Sequence, residues 1–321
     1  MRLRPFLSCT EIEPWSARQS IFAEDAGKLM KAACWGLFLL FIVGILVSGC
    51  GSSGVNGRTI DIADIGWAEN TAIAQLTKLL LEEQLGYEEV TVHTSDLDSV
   101  YEDVAEGDLD AFQDVWLPNQ QQLLDSVQDD VEQLAPSYEG ETEQGIAVPY
   151  YMDATSLDQL DQSEAELILG IEPGSVIMGI IYDEVIPAYD LPQKLVEGPT
   201  QGMLAEVEKR YRNGEEFALV AWSPHWMNQR YDLRYLEDPE DVFRELNDPA
   251  EITTIVNEDL PEDDPVATAF MDALILDEEQ IGDLESAINE AGDPHEGARR
   301  WAEDNPEVWQ PWVEAAQDAQ Q

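Results

Sequence analysis

Short apolar runs and amphipathic stretches alternate along the chain from Thr59 onwards. Thr59–Ile65 is apolar and β-branched, and Thr71–Leu85 carries Ile73, Leu76, Leu80 and Leu81 at helical spacing before Gly86. A strand at Val90–Val92, a helix at Val100–Ala105 and a strand at Ala111–Trp116, stopped by Pro118, follow. This βαβαβ order predicts a parallel sheet with helices on its faces. After a short crossing segment at Ile146–Val148 the order restarts: a strand over Leu167–Ile171, a helix from Val176, a helix over Gly202–Arg212 and a strand over Phe217–Trp222. Ile252–Val256 and helices beyond Pro265 close the chain. No convincing internal repeat is present. The pattern predicts two α/β lobes, one made of residues 58–146 and 252–321 and the other of residues 147–251.

Upstream the pattern is different. Ala32–Val47 is almost wholly apolar, is preceded by Lys28 and Lys31, and runs into Leu46-Val47-Ser48-Gly49-Cys50. Small residues before a cysteine at the end of such a run read as a lipoprotein signal, with the mature chain starting at a lipidated Cys50 and tethered by residues 50–57. The competing reading is a transmembrane anchor, since the stretch is only a little shorter than the roughly 20 residues that span a bilayer. The position of Cys50 favours the lipoprotein. Residues 1–49 then form the signal region, and Met30 is a candidate start because residues 1–29 do not resemble a signal. The expected location is outside the cytoplasmic membrane, held to it by the lipid and facing the periplasm or the cell exterior.

Charge changes the picture of the surface. The chain has 16 Lys+Arg against 67 Asp+Glu, a net charge of -51, yet 44% of its residues are hydrophobic and nine are Trp. A disordered acidic chain would be poor in aromatics and β-branched residues, so the acid here belongs to a folded surface. It is spread along the whole mature chain, where Lys78, Lys194 and Lys209 are the lysines. Self-repulsion on that scale predicts adaptation to a salty medium, because the screening length falls to about 3 Å at molar salt. Nucleic acid is excluded as a partner for want of a basic face. The cysteines are Cys9, Cys34 and Cys50, so a chain starting at Cys50 has no disulfide to form.

The candidate chemistry lies at strand ends, where ligands bind in open α/β sheets. Trp67 follows Ile65-Gly66, Trp116 ends Asp114-Val115-Trp116, and Trp222 ends Ala221-Trp222 before Ser223-Pro224-His225-Trp226. Any one of these indoles could simply pack in the core. Three at equivalent positions suggest a box of ring faces for a cation that donates no hydrogen bonds, such as a quaternary ammonium. Gly170–Met178 leads from a strand into a helix whose first amides, Val176 and Ile177, could hold a carboxylate.

At these residues the chain resembles the substrate-binding proteins of glycine-betaine/proline-betaine ABC importers. The likeness runs through Gly66-Trp67-Ala68-Glu69-Asn70, Val115-Trp116-Leu117-Pro118-Asn119, Gly170–Met178 and, above all, Trp222–Met227 continuing to Tyr235-Leu236-Glu237-Asp238-Pro239. It implies a two-lobed α/β fold of the type II periplasmic-binding kind, with parallel-rich sheets flanked by helices and the ligand cleft between the lobes. It further implies a cage of Trp67, Trp116 and Trp222 around a trimethylammonium group and amides of Val176 and Ile177 on the ligand carboxylate. Some members add a histidine five residues after the second cage Trp; this chain has Gln121 there, whose amide can still donate. The implied partners are glycine betaine or a similar zwitterion, an ABC permease and its ATPase subunits, and the membrane through Cys50. No cofactor is expected.

Neighbouring residues read more plainly. His225 and Trp226 are expected to brace the loop that presents Trp222, with direct ligand contact by His225 the alternative. Glu69 reads as a solvated acid or a helix N-terminal residue, and the alternative is an acid that favours choline. Trp301, Trp309 and Trp312 read as core, and Pro261-Glu262-Asp263-Asp264-Pro265 lacks the Gly and spacing of a calcium loop. His93, His225 and His295 have no metal-ligand spacing, and neither a nucleophile elbow nor a phosphate loop is present, so the chain does not read as an enzyme. Two other functions stay open at this point: a choline or carnitine receptor of the same fold, and a surface lipoprotein whose tryptophans anchor a protein partner.

Overall fold

The computed structural model describes residues 57–247 and 250–320. Its strands are β1 (Thr59–Asp64), β2 (Glu89–Thr94), β3 (Ala111–Leu117), β4 (Val131–Pro136), β5 (Tyr138–Glu139), β6 (Glu143–Pro149), β7 (Leu167–Leu169), β8 (Lys194–Val196), β9 (Ala218–Ser223), β10 (Leu233–Tyr235), β11 (Glu251–Asn257) and β12 (Leu276–Asp277). They form two five-stranded sheets, ordered β2-β1-β3-β11-β4 and β10-β6-β9-β7-β8, and a small β12-β5 pair. Pairing is mixed in both large sheets. β1 runs parallel to β2 and β3, and β7 runs parallel to β8 and β9, as the alternating strand and helix pattern predicts. The antiparallel pairs involve β4, β6, β10 and β11.

Sequence pattern and structure part company mainly at sheet edges. β4, β8 and β10 were not legible because each presents few buried apolar side chains; in β4 only Leu134 is buried. The crossing segment read as Ile146–Val148 is the seven-residue β6, which lies wholly in the second sheet. The apolar run Ile177–Tyr182 lies in one helical segment, Val176–Ile180 continuing through Ile181–Val185 to Ile186–Ala188.

The chain passes between the sheets twice, after β5 and again before β11. Just before β5, Ser137 N–H donates to the carbonyl of Ile252 in β11 at 2.9 Å, so the chain leaves the first sheet beside the strand by which it returns. The C-terminal helices Glu278–Ala291 and Pro294–Asp304 pack on Ala68–Gln84, the helix that follows β1. Trp301 and Trp312 are buried, and Trp312 meets Phe270 edge-to-face at 6.3 Å. The acidic run 261–265 is the junction of two helices. Asp264 caps the second one by accepting from Ala267 N at 3.2 Å, and it also accepts from Arg58 Nη1 at 2.6 Å and Tyr87 Oη at 2.9 Å. That acid therefore ties the start of β1 to the C-terminal helices.

Helices Glu278–Ala291 and Pro294–Asp304 approach so closely at Gly297 that a Cβ there would sit 2.3 Å from Ile288 Cα and 2.7 Å from Ile288 N. Backbone atoms cannot yield as a flexible side chain can. Gly297→Ala is expected to lower the unfolding free energy by about 1–3 kcal/mol, measured by chemical denaturation at fixed salt.

Candidate functional site

β3 and β9 end in tryptophans on facing sheets, and a third indole stands between β1 and its helix. Gly66 adopts φ +86°, a turn that brings Trp67 to the N-cap position of helix Ala68–Gln84. Trp116 is near the end of β3, and Trp222 is the penultimate residue of β9. Pro118 and Pro224, each two residues past its Trp, follow cis peptide bonds. All three indoles line one cavity together with Glu69, Leu97, Asn119, Gln120, Ile171, Val176 and Ile177. Trp116 and Trp222 are buried; Trp67 is half-buried.

Two of the indoles are fixed by their N–H groups on buried acids. Trp222 Nε1 donates to Glu69 Oε1 at 3.0 Å, a bond that joins β9 of one sheet to the helix that follows β1 of the other. Trp116 Nε1 donates to Asp114 Oδ1 at 2.8 Å. Asp114 and Trp116 are two apart on a strand and so share a face. Burial pushes the Glu69 carboxyl up to about 8, with Glu172 adding like charge. Burial also holds Asp114 well above the usual carboxylate range, with Glu69 and Glu285 raising it further.

A contiguous set of rings supports Trp222 from behind. His225 meets its ring at 4.6 Å, Trp226 stacks on His225 at 5.5 Å, and the series continues through Tyr231 and Tyr211 to the exposed Tyr151, at 6.2, 5.0 and 5.7 Å. His225 Nδ1 accepts from Met227 N at 3.0 Å, and burial pulls its pKa down to about 3, which keeps the ring neutral.

The cavity lining includes Trp67, Trp116, Trp222, Val176, Ile177 and Glu69. It does not include His225, which stands behind Trp222 as a brace, or Gln121. Gln121 begins the exposed side of helix Gln121–Val127 and donates to Asp125 Oδ1 at 2.7 Å. The neighbouring Gln120 faces the cavity, and its Oε1 accepts from Tyr101 Oη at 2.6 Å and Trp116 N at 3.1 Å. Glu69 is in the first helical turn, as read, but it is buried and not solvated. Sequence reasoning missed Asp114, Gln120 and the buried Glu285 altogether. The period-2 spacing of Asp114 and Trp116 was the one available signal. Cys50 lies outside the described residues. Among the described residues no group of three or more His, Cys, Asp or Glu side chains is placed to hold a metal ion.

The substrate-binding domain of ABC-type glycine betaine transport systems matches residues 58–304. The chain belongs to that family. A glycine betaine/carnitine transport binding protein, GbuC, of Listeria monocytogenes serotype 1/2a (strain 10403S) is 29% identical over 153 residues, 47% of this chain and 50% of that protein. The chain thus spans about half the length of this curated relative. Two solved structures align over nearly their whole length. A lactococcal OpuAC in its closed-liganded conformation with glycine betaine is 26% identical, with a TM-score of 0.71, covering 80% of this chain and 99% of that one. An ABC-transporter choline binding protein in complex with choline is also 26% identical, with a TM-score of 0.70, covering 82% and 98%. The fold is that of type II periplasmic binding proteins, and the family is one of receptors, not enzymes.

The raised carboxyls set the pH dependence of the empty protein. A carboxyl whose folded pKa lies above its unfolded value binds its proton more tightly when folded, so the stability it contributes is complete below about 4.5 and is lost as pH rises towards about 8. The ligand-free protein is expected to be more stable at pH 5 than at pH 8 in constant salt. Glu69→Gln should narrow that difference, as read by denaturant midpoints at both pH values.

Proposed function

We propose that this protein captures glycine betaine, or a closely related quaternary-ammonium zwitterion, between its two sheets and delivers it to an ABC permease powered by separate ATPase subunits. The observation that carries this reading is the meeting of Trp67, Trp116 and Trp222, from both halves of the molecule, at one cavity with the helix start at Val176 and Ile177. Ring faces attract a cation that cannot donate hydrogen bonds, at about 0.5–2 kcal/mol per ring. The first amides of a helix have no partner within it and suit a carboxylate. Ligand held by both sheets favours their approach.

Glu69 supports a second reading. Its carboxyl lines the cavity and its Oε2 has no hydrogen-bond partner, which suits a cationic alcohol such as choline. Competition binding separates the two: choline displacing labelled glycine betaine at equal or lower concentration would reverse the ranking. For the cage itself, Trp116→Ala is expected to weaken betaine binding more than tenfold while leaving the circular dichroism spectrum unchanged. Unaltered affinity in Trp67→Ala, Trp116→Ala and Trp222→Ala alike would sink it.

The finer features of setting follow from sequence. A division into two lobes, lipid attachment at Cys50 and adaptation to high salt belong to this reading. Among the described residues no helix is long and apolar enough to cross a membrane; attachment through a lipid on Cys50 rests on the sequence that leads into that residue. Radiolabelled lipid incorporation lost in Cys50→Ser tests it. Salt should act on fold more than on site: melting temperature is expected to rise between about 0.1 M and molar salt, where the screening length drops from about 10 Å to about 3 Å, while betaine affinity changes little. A melting temperature indifferent to salt would remove the halophilic reading.

A further inference from the structure

Three buried carboxyl groups, Glu69 at the cavity and Asp114 and Glu285 near it, stand in an unusual state. Glu69, Asp114 and Glu285 are 1%, 0% and 2% exposed. Each accepts an N–H from a tryptophan with one oxygen: Trp222 Nε1 on Glu69, whose own backbone N–H also acts on the carboxyl, Trp116 Nε1 on Asp114, and Trp226 N on Glu285 at 2.6 Å. Each leaves its second oxygen buried without a hydrogen-bond partner, namely Glu69 Oε2, Asp114 Oδ2 and Glu285 Oε1. Their charged surroundings are acidic. Glu172 acts on Glu69, Asp64 on Asp114, and the three act on one another. His225, against the Trp222 ring, is held neutral by burial, and Arg230 lines the separate outer groove that Glu285 also borders.

An ionised carboxylate with a bare oxygen and no cation is costly in such a place. A proton removes the charge, and a bound cation would compensate it. The receptor reading supplies that cation. The trimethylammonium would lie against the faces of indoles whose N–H groups already rest on Glu69 and Asp114. A positive charge there favours the ionised carboxylate.

We propose that ligand capture is coupled to proton release from this cluster, with Glu69 as the group that loses the proton. The inference rests on the receptor reading above. The Glu69 Oε2–H bond breaks heterolytically, the electron pair stays on the carboxylate and the proton passes to buffer; nothing is oxidised or reduced. Linkage makes the effect reciprocal: if the cation expels the proton, the proton opposes the cation. Affinity for betaine and for choline therefore rises with pH through the neutral range. Burial raises Asp114 and Glu285 as well, and the assignment to Glu69 rests on its place in the cavity lining, which the other two do not share.

The test is titration calorimetry of the folded protein with glycine betaine and with choline at pH 7, in phosphate and in Tris, whose ionisation enthalpies differ. The expected result is an observed enthalpy that shifts between buffers by an amount approaching one released proton per site, and a Kd that tightens several-fold from pH 6 to pH 7. In Glu69→Gln, whose amide oxygen can still accept the Trp222 N–H, affinity should fall towards that of the protonated protein, and the binding that remains should show neither buffer dependence nor a change in Kd between pH 6 and pH 7. Equal heats in both buffers with clear binding would overturn the coupling and leave the receptor intact. A buffer dependence unchanged in Glu69→Gln would overturn the assignment. Absence of binding by either ligand would overturn the receptor reading and this inference with it. Should Glu69→Gln fail to fold, the wild-type profile decides: a Kd flat between pH 6 and pH 8 overturns the proposal.

Discussion

Indole N–H groups held on buried carboxyls organise the centre of this protein. The bond from Trp222 to Glu69 spans the gap between the two sheets, so the position of that indole depends on the first turn of a helix in the opposite half. The bond from Trp116 to Asp114 orients a second indole along its own strand. An indole that donates at its edge leaves both faces free, and it is the faces that attract a cation. Replacing either acid by an apolar residue would leave a buried N–H unsatisfied at a cost of about 1–3 kcal/mol.

The same arrangement explains how a protein with a net charge of -51 can keep acids in its interior. Outside, carboxylates are hydrated and screened, and where they meet the few Lys and Arg side chains they do so in pairs such as Lys209–Glu206 and Arg212–Glu208, worth little individually. Inside, burial removes the hydration and changes the acids themselves, which hold protons at pH values where surface carboxyls have lost them. Surface and interior thus respond to different variables, ionic strength for the first and pH for the second.

Much of the fold was legible because its central strands and main helices carry regular apolar patterns: Val100–Ala105 is a helix over those very residues, and β1, β3, β9 and β11 fall within a residue or so of the apolar runs. What escaped was governed by distant contacts. Edge strands such as β4 carry too few buried side chains to print a period. Glu285 accepts from Trp226 N out of a helix 216 positions beyond Glu69, a proximity that no local spacing encodes. Gln121 and Gln120 show how fine the margin is: counting residues from the tryptophan points to Gln121, which the turn after Leu117 sends to solvent, while Gln120 lies against Trp116 N at the cavity. Asp114 could have been found, since side chains two apart on a strand lie on the same face.

The rings behind Trp222 have a thermodynamic consequence. From Trp222 through His225, Trp226, Tyr231 and Tyr211 to Tyr151, each ring rests on the next, and Trp222 is also pinned by its N–H on Glu69. Turning that indole to another rotamer would require its neighbours to move as well. Its conformational entropy is therefore surrendered when the chain folds, and the ring stands at the cavity already ordered.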